Sequence, residues 1–371
     1  MPGKEKDETR KPFIVPVFIP HEGCPHRCVF CDQSAITGQR DRMPSKEHLK
    51  AHIQTYLKHA SPHRHPVQIS FYGGTFLGLE NDVICDLLSL ATDFVQGGQV
   101  HGIRFSTRPD SVTEEKLELI RPFPVTTVEL GVQSMDRGVL TLSGRGHGPE
   151  HTEKAWALLS ARGYETGFQI MAGLPGDDME KSLETVKSLC RRKPSFMRIY
   201  PTLVLRGSAL ERLYEKKAYV PLSLDQAVTR VKRLYLYIRE QGIPVIRMGL
   251  QASDELDKGS VVAAGPYHPS FGHLVHSAVF LDMAIRILRR ETGAGDRNKT
   301  VFYVHSRNIS KLRGLKNQNL DVLRALFYQD GLRVVADDRL DLETVKTDRN
   351  TMTISDLDPE DEEEPWTLSE P

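Results

Sequence analysis

The feature that most restricts the fold is an alternation of β-type and helical runs that holds from Phe13 to Leu250. β-type runs near 13–19, 67–73, 102–108, 126–132, 165–172 and 196–202 are separated by helical stretches near 45–60, 82–96, 113–121, 149–162 and 178–192. Two more helices over about 208–241 precede a seventh strand, Val245 to Leu250. Several helical stretches open on Ser, Asp, Thr or Pro, the residues that start helices. Strict alternation needs right-handed crossovers and gives a parallel sheet, and six or seven such units curl into part of a (β/α)8 barrel. The expected class is α/β: a partial (β/α)6 barrel followed by a small α/β C-terminal domain.

The two faces of these strands differ. Val67, Ile69, Phe71, Ile103, Phe105, Val128, Leu130, Val132, Ile246, Met248 and Leu250 supply an apolar face toward the helices. The opposite face carries Gln68, Ser70, Tyr72, Arg104, Ser106, Arg108, Glu129, Gln133, Gln169, Met171, Arg198, Tyr200, Arg247 and Gln251. A packed barrel interior is normally aliphatic, and unpaired buried charges are costly, so the interior is expected to be wet or ligand-filled. The plainer alternative is a structural ion-pair network of Glu129 with Arg104 or Arg198.

Beyond Ala252 the rhythm stops. GPYHPSFGHLVHS (265–277) reads as a turn-rich loop whose histidines His268, His273 and His276 either contact substrate or serve as loop surface and caps. A helix (277–290) then precedes a strand (Val301–Val304), a helix (Asn308–Arg313), the GLKN turn (314–317), a helix (Asn319–Phe327) and a strand (Leu332–Val335). The chain balances 49 basic against 49 acidic residues, which excludes a globally basic nucleic-acid binder. Locally the balance fails: residues 286–324 hold ten basic and three acidic side chains, and 356–364 hold seven acids and no base. The expected division is a charged N-terminal tail (1–12), the barrel (13–251), a C-terminal α/β cap (252–340) and an acidic disordered tail (341–371). The first residues lack the apolar core of a secretion signal and no apolar run approaches the roughly 18 residues of a membrane span, so a cytoplasmic protein without membrane partners is expected.

Three of the five cysteines, Cys24, Cys28 and Cys31, crowd into HEGCPHRCVFC just after the first strand. Three thiolates on one short loop suit a soft metal. Three ligands leave one position open, where a four-iron cluster can bind substrate; structural zinc would need a fourth ligand such as His21 or His26. Cys85 and Cys190 have apolar helical neighbours and read as core.

This cysteine pattern, with Phe30 before the last cysteine, resembles the cluster motif of the radical S-adenosylmethionine (SAM) superfamily. FYGGTF (71–76), STRPD (106–110), ELGVQS (129–134), GRGH (144–147), IMAGLPGD (170–177) and RIYPTLVLRGSALERLYEKKAY (198–219) follow in order. Together they resemble the radical SAM domain of the catalytic subunit of Elongator and its shorter bacterial relatives. The resemblance implies a [4Fe-4S] cluster on Cys24, Cys28 and Cys31 that reduces SAM by one electron, yielding methionine and a 5′-deoxyadenosyl radical. It further implies that Gly73, Gly74 and Thr75 cradle the methionine amine, Gln133 and Ser134 bond the ribose, Gly173 and Leu174 pass the adenine, and Arg108 or Arg145 pairs the carboxylate. The competing class is a non-catalytic zinc or iron-sulfur protein with a sensor or nucleic-acid-binding role.

Two departures qualify the resemblance. The Elongator subunit has a longer insertion between its first two cysteines and carries an acetyltransferase domain. Here Arg290-x-x-Gly293-x-Gly295 matches an acetyl-CoA signature only as a string, after a helical run instead of a strand, so acetyl-dependent chemistry by this polypeptide alone is not expected. The basic β-α-GLKN-α-β segment resembles part of a KH-type RNA-binding unit, with Asn317 where glycine is usual. The implied partners are RNA, in particular a tRNA nucleoside contacted through Lys311, Arg313 and Lys316, and a reductant such as ferredoxin or flavodoxin.

Overall fold

The computed structural model describes residues 12–19, 23–31, 43–61, 63–251, 254–257, 259–291, 300–328, 331–359 and 361. Most of the N-terminal tail, His21, Gly293, Gly295 and residues 362–371 lie outside the described residues.

Strands β1 Phe13–Ile19, β2 Val67–Gly73, β3 Gly102–Thr107, β4 Val125–Gln133, β5 Glu165–Ala172 and β6 Phe196–Pro201 lie side by side in chain order. Strand β7, Val204–Leu205, stands outside this sheet, and β8, Val245–Met248, completes it next to β6. All seven strands of the sheet run parallel. Connecting helices are α1 Lys46–Leu57, α2 Asn81–Gln96, α3 Glu114–Ile120, α4 Arg137–Leu142, α5 Pro149–Ala161, α6 Met179–Cys190, α7 Ala209–Glu215 and α8 Leu224–Glu240. Their starts obey ordinary capping chemistry: Ser45, Thr113, Asp136, Asp178, Ser208 and Ser223 each accept a backbone N–H of the first turn, and Pro149 opens α5. The order matches the sequence reading, with α4 and a two-stranded pairing of β7 with β9 (Val262–Ala264) as additions.

The strand faces are as expected for β2, β3 and β4, whose Val67, Ile69, Phe71, Ile103, Phe105, Val128, Leu130 and Val132 are buried. Phe71, Phe76 and Phe105 stack against one another with ring centroids 5.1 and 4.5 Å apart. The last strand of the sheet differs. Its register slips between Met197 and Arg198, so Arg247 pairs with Arg198 while Ile246 drops out of the pairing and is exposed at the sheet edge. A bulge of this kind flips the residues on one side of it, which simple alternation cannot anticipate.

The segment read as a histidine loop is shorter than expected. Helix α9, Phe271–Glu291, begins inside it, so His273 and His276 are helical, while His268 Nδ1 accepts the Ser270 N–H beside the helix start. Gly272 permits the close approach of α9 to β8, since a Cβ there would meet Met248 O at 3.1 Å. This helix is long and apolar enough to cross a membrane by length and composition, yet its apolar window is largely buried inside the molecule, with α8 among its neighbours. The same continuous core runs from β1 to Phe302, Leu323 and Leu357, so the chain after residue 251 shares the core of the barrel.

Next come β10 Val301–Val304, α10 Ile309–Arg313, α11 Gln318–Phe327, β11 Arg333–Ala336, β12 Thr344–Lys346 and β13 Thr351–Thr353. They give a four-stranded sheet, β11-β10-β12-β13, with β10 and β11 parallel as the β-α-turn-α-β reading requires. The disordered tail expected from 341 is corrected here. Residues 341–359 are folded, with Val345, Met352, Ile354 and Leu357 buried in the main core. Three-residue strands carry too few apolar positions for a periodicity to register. Part of the acidic stretch returns onto α8 and α9: Asp361 pairs with Arg286, and Arg233 Nε donates to Pro359 O.

Candidate functional site

The cysteine loop leaves β1 and docks on the ends of the strands that follow. Gly23 lies so close to the turn after β2 that a Cβ would meet Thr75 O at 2.5 Å, and one on Gly78 would meet Gly23 O at 2.1 Å. Gly73 has φ +109°, and a Cβ on it would meet Ile19 O at 2.2 Å; Gly74 N–H donates to that same carbonyl. Gly73 therefore stands where two strand ends approach too closely for a side chain. Cys24 Sγ donates to Thr75 Oγ1 at 3.4 Å, joining the first cysteine to the Gly-Gly-Thr motif.

The GRGH segment closes the other side. Val29 N–H donates to Ser143 O, and a Cβ on Gly146 would overlap the His26 ring. Arg145 Nη1 donates to Cys28 Sγ at 3.2 Å, and its Nη2 donates to Gly131 O. Arg108 Nη1 lies 4.0 Å from the same sulfur. Its fork grips Asp110 through Nε and Nη2, and Nη2 also donates to Arg145 O. Burial disfavours the Arg108 charge, but Asp110 more than compensates and raises its pKa above the usual guanidinium value. Cys28 thus sits against two guanidiniums. His147 is buried beside them, and desolvation together with Arg145 pushes its pKa down to about 3, leaving a neutral imidazole.

Gln133 ends β4 in the left-handed region, φ 69°, with its Oε1 buried and without a hydrogen-bond partner. Ser134 is more occupied: its Oγ accepts from Asp136 N and lies 3.3 Å from Thr185 Oγ1. Gly173, φ 83°, and Leu174 end β5 in a turn. Gly73, Gly74, Thr75, Arg108, Gln133, Arg145 and the cysteines gather at the strand ends, where loops of this architecture carry chemistry. The sequence reading missed Asp110, which occupies the fork of Arg108 and was present in STRPD two residues on.

Among the described residues no group of three or more His, Cys, Asp or Glu side chains stands close enough together to hold a metal ion. The chemistry still fits a soft, open-sided metal group. The donor set is three sulfurs within eight residues, two guanidiniums flank one of them, and the polar atoms Gln133 Oε1 and Arg145 Nε are buried there without partners. The ring of His26, one of the two candidate fourth ligands for zinc, packs on Gly146.

Deeper in the sheet, the ion-pair network is real. Glu129 accepts from Arg104 Nε at 2.5 Å and from Arg198 Nη2 at 3.1 Å, with Arg198 Nε in ion-pair contact at 2.8 Å, and Arg198 Nη2 also reaches across to Tyr72 OH at 2.9 Å. Arg198 thus joins β6 to β2, four strands away, which is possible only because the sheet curls. Burial opposes ionisation of Arg198, and Glu129 outweighs it, raising its pKa. Burial first, then Glu129, raises that of Tyr72.

Comparison with known proteins agrees with this geometry. The model for the radical SAM superfamily matches residues 18–189, and that for the radical SAM C-terminal domain matches 194–279. The tRNA uridine(34) acetyltransferase of Dehalococcoides mccartyi is 30% identical over 230 residues, 53% of this chain and 50% of that protein. Elongator complex protein 3 of Saccharomyces cerevisiae is 25% identical over 293 residues, 64% of this chain and 52% of that one. The match therefore spans about half the length of these relatives. The structure of an N-terminally deleted Elp3 from the archaeon Methanocaldococcus infernus superposes with TM-score 0.54 at 20% identity, covering 77% of this chain and 65% of that chain, a likeness of fold. The parallel half-barrel, its strand-end loops and the two family matches together place the chain in the radical SAM superfamily, as an enzyme with Elp3-like relatives.

Proposed function

We propose that Cys24, Cys28 and Cys31 hold a [4Fe-4S] cluster and that the enzyme acts on a tRNA nucleoside. Bound there, such a cluster supplies the electron that cleaves SAM to methionine and a 5′-deoxyadenosyl radical. The observation that carries the reading is the pairing of Cys28 Sγ with Arg145 in a buried niche built from the Gly-Gly-Thr, GRGH and β4 loops. Arg145 is better suited than Arg108 to the SAM carboxylate. Arg108 has its fork filled by Asp110, whereas Arg145 keeps a buried Nε without a partner. Gly73, Gly74 and Thr75 serve the methionine amine, Gln133 the ribose through its unpartnered Oε1, and Gly173 and Leu174 the adenine. Ser134, already bonded to Asp136 N, supports the turn behind Gln133.

An RNA substrate is supported by the tRNA-modifying relatives and by the basic turn between α10 and α11. Arg313 and Lys316 are exposed there, and Lys316 and Asn317 both adopt left-handed φ. Lys311 is less suited, since its Nζ lies over the Phe280 ring at 5.7 Å. A cytoplasmic setting with a ferredoxin or flavodoxin as electron donor completes the reading. Anaerobically reconstituted protein should be brown and should form 5′-deoxyadenosine from SAM and dithionite, and Cys28→Ala should not. A colourless protein holding one zinc, with no SAM cleavage, overturns the proposal.

A further inference from the structure

The turn after β5 is fixed more heavily than a surface connection requires. Leu174-Pro175-Gly176-Asp177 closes with an Asp177 N–H to Leu174 O bond of 2.9 Å, and Gly176 takes φ 77°, as a Pro-Gly type II turn demands. That turn alone would set the chain direction. Yet the Asp177 carboxylate folds back to accept the Gly173 N–H at 2.7 Å. It is buried, and Ser182 Oγ from α6 and Arg230 Nη1 from α8 hold it at 2.8 and 3.1 Å. On the other side of the same residue, Tyr219 OH donates to Gly173 O at 2.6 Å. Both peptide groups of Gly173 are thus fixed by side chains, and φ 83° with Leu222 at 2.8 Å from a would-be Cβ leaves no substitute for glycine.

Tyr219 also has a second contact that bears on the site. It is buried in a small apolar cluster with Val204 and Leu210, against which Val29 and Phe30 of the cysteine loop pack. Leu210 N–H donates to Val29 O at 2.7 Å within the same cluster. One aromatic side chain therefore touches the group that seats the cysteine loop and, through its hydroxyl, the carbonyl of Gly173.

We infer that Asp177 and Tyr219 are positioning residues that lock the Gly173–Leu174 backbone in register with the cysteine loop, so that the adenosine half of SAM is held at a fixed distance from the group bound by Cys24, Cys28 and Cys31. This rests on the proposed reading of Gly173 and Leu174 as the adenine contact. Radical generation depends on holding the sulfonium close to its reductant, and an error of about 1 Å in such an arrangement costs on the order of a hundredfold in rate. The Asp177 carboxyl suits the task because it accepts the Gly173 N–H while Ser182 and Arg230 hold it from two different helices. Tyr219 suits it because its ring is anchored in the cluster that seats the cysteine loop.

The test is equilibrium dialysis of anaerobically reconstituted protein against SAM, S-adenosylhomocysteine and methionine, with the visible spectrum and thermal melt recorded for each variant. Tyr219→Phe removes one hydroxyl and keeps the ring. It should weaken both adenosyl ligands roughly fivefold, the equivalent of one hydrogen bond, and leave methionine binding and the spectrum unchanged. Asp177→Ala should weaken them tenfold or more, and Asp177→Asn, which keeps an acceptor oxygen, should recover part of the loss. Should Asp177→Ala fail to fold, Tyr219→Phe alone decides the question. Wild-type protein that binds methionine and SAM, with Tyr219→Phe binding all three ligands equally well, overturns the inference and leaves the adenine reading standing. Wild-type protein that binds no adenosyl ligand overturns that reading and the inference together.

Discussion

Glu129→Gln removes a negative charge held between two buried guanidiniums, with Arg104 Nε at 2.5 Å and Arg198 Nε at 2.8 Å. At an effective dielectric near 20, two unit charges about 4 Å apart attract by roughly 4 kcal/mol, so the two pairs contribute about 8 kcal/mol gross. Desolvation of three ions offsets most of this. What the substitution exposes is the uncompensated remainder, two cations left facing each other, and removing one partner of a buried pair costs about 3–5 kcal/mol. With a urea m-value near 3 kcal/mol/M, the unfolding midpoint of metal-free protein should fall by roughly 1–1.7 M. The double change Glu129→Gln with Arg198→Gln should cost clearly less than the sum of the single changes, because the second removes a cation the first has stranded. A midpoint shift below about 0.3 M, or strict additivity in this cycle, would refute the view that the barrel interior is a mutually dependent ion-pair lattice.

Other consequences can be checked separately. His147, with its pKa pushed down to about 3 by burial and Arg145, is protonated in the unfolded chain from about pH 6.5 downward but not in the folded one. The folded state binds fewer protons there, so stability falls with falling pH at up to about 1.4 kcal/mol per unit, and His147→Gln should remove most of that slope between roughly pH 6 and 4.5 in metal-free protein. An unchanged slope would show that His147 is not buried as a neutral ring. Gly73→Ala must place a Cβ 2.2 Å from Ile19 O at φ +109°, so thermal melting should show a loss of at least about 1–3 kcal/mol, and a neutral result would mean the β1 and β2 ends are not so close. Arg313→Glu with Lys316→Glu should weaken single-stranded RNA binding and reduce its salt dependence by about 0.7 log units per lost phosphate contact, measured by filter binding over a salt series. RNA binding that survives this change would limit the turn to a structural role.

Much of the architecture is legible in the sequence because a doubly covered parallel sheet imposes period-two alternation strand after strand, as in β1, where Phe13, Val15, Val17 and Ile19 are buried, and in β2, whose pairing with β1 runs without a slip. Where local backbone departs from that period, the reading fails. Ile246 is displaced by a bulge that depends on the register of the neighbouring strand, and Val345 and Met352 are buried by strands only three residues long. The cysteines, the double glycine and GRGH are legible as a set because short motifs fix which backbones approach closely. Their mutual contacts are not legible, since they join distant segments. Thr75 meets Cys24, Arg145 meets Cys28, and Tyr219 meets Gly173. Asn317 shows a milder case: its left-handed φ of 69° agrees with the tolerance expected of asparagine where the resembling unit has glycine.

Electron paramagnetic resonance of anaerobically reconstituted, dithionite-reduced protein, recorded with and without SAM, addresses the three-cysteine site most directly. If Cys24, Cys28 and Cys31 hold a four-iron cluster with one open position, iron analysis should give about four atoms per chain, and the signal of the reduced cluster should change shape when SAM is added. Cys28→Ala should lose both the iron and the signal. A stoichiometric zinc ion, or an iron signal indifferent to SAM, would contradict the assignment.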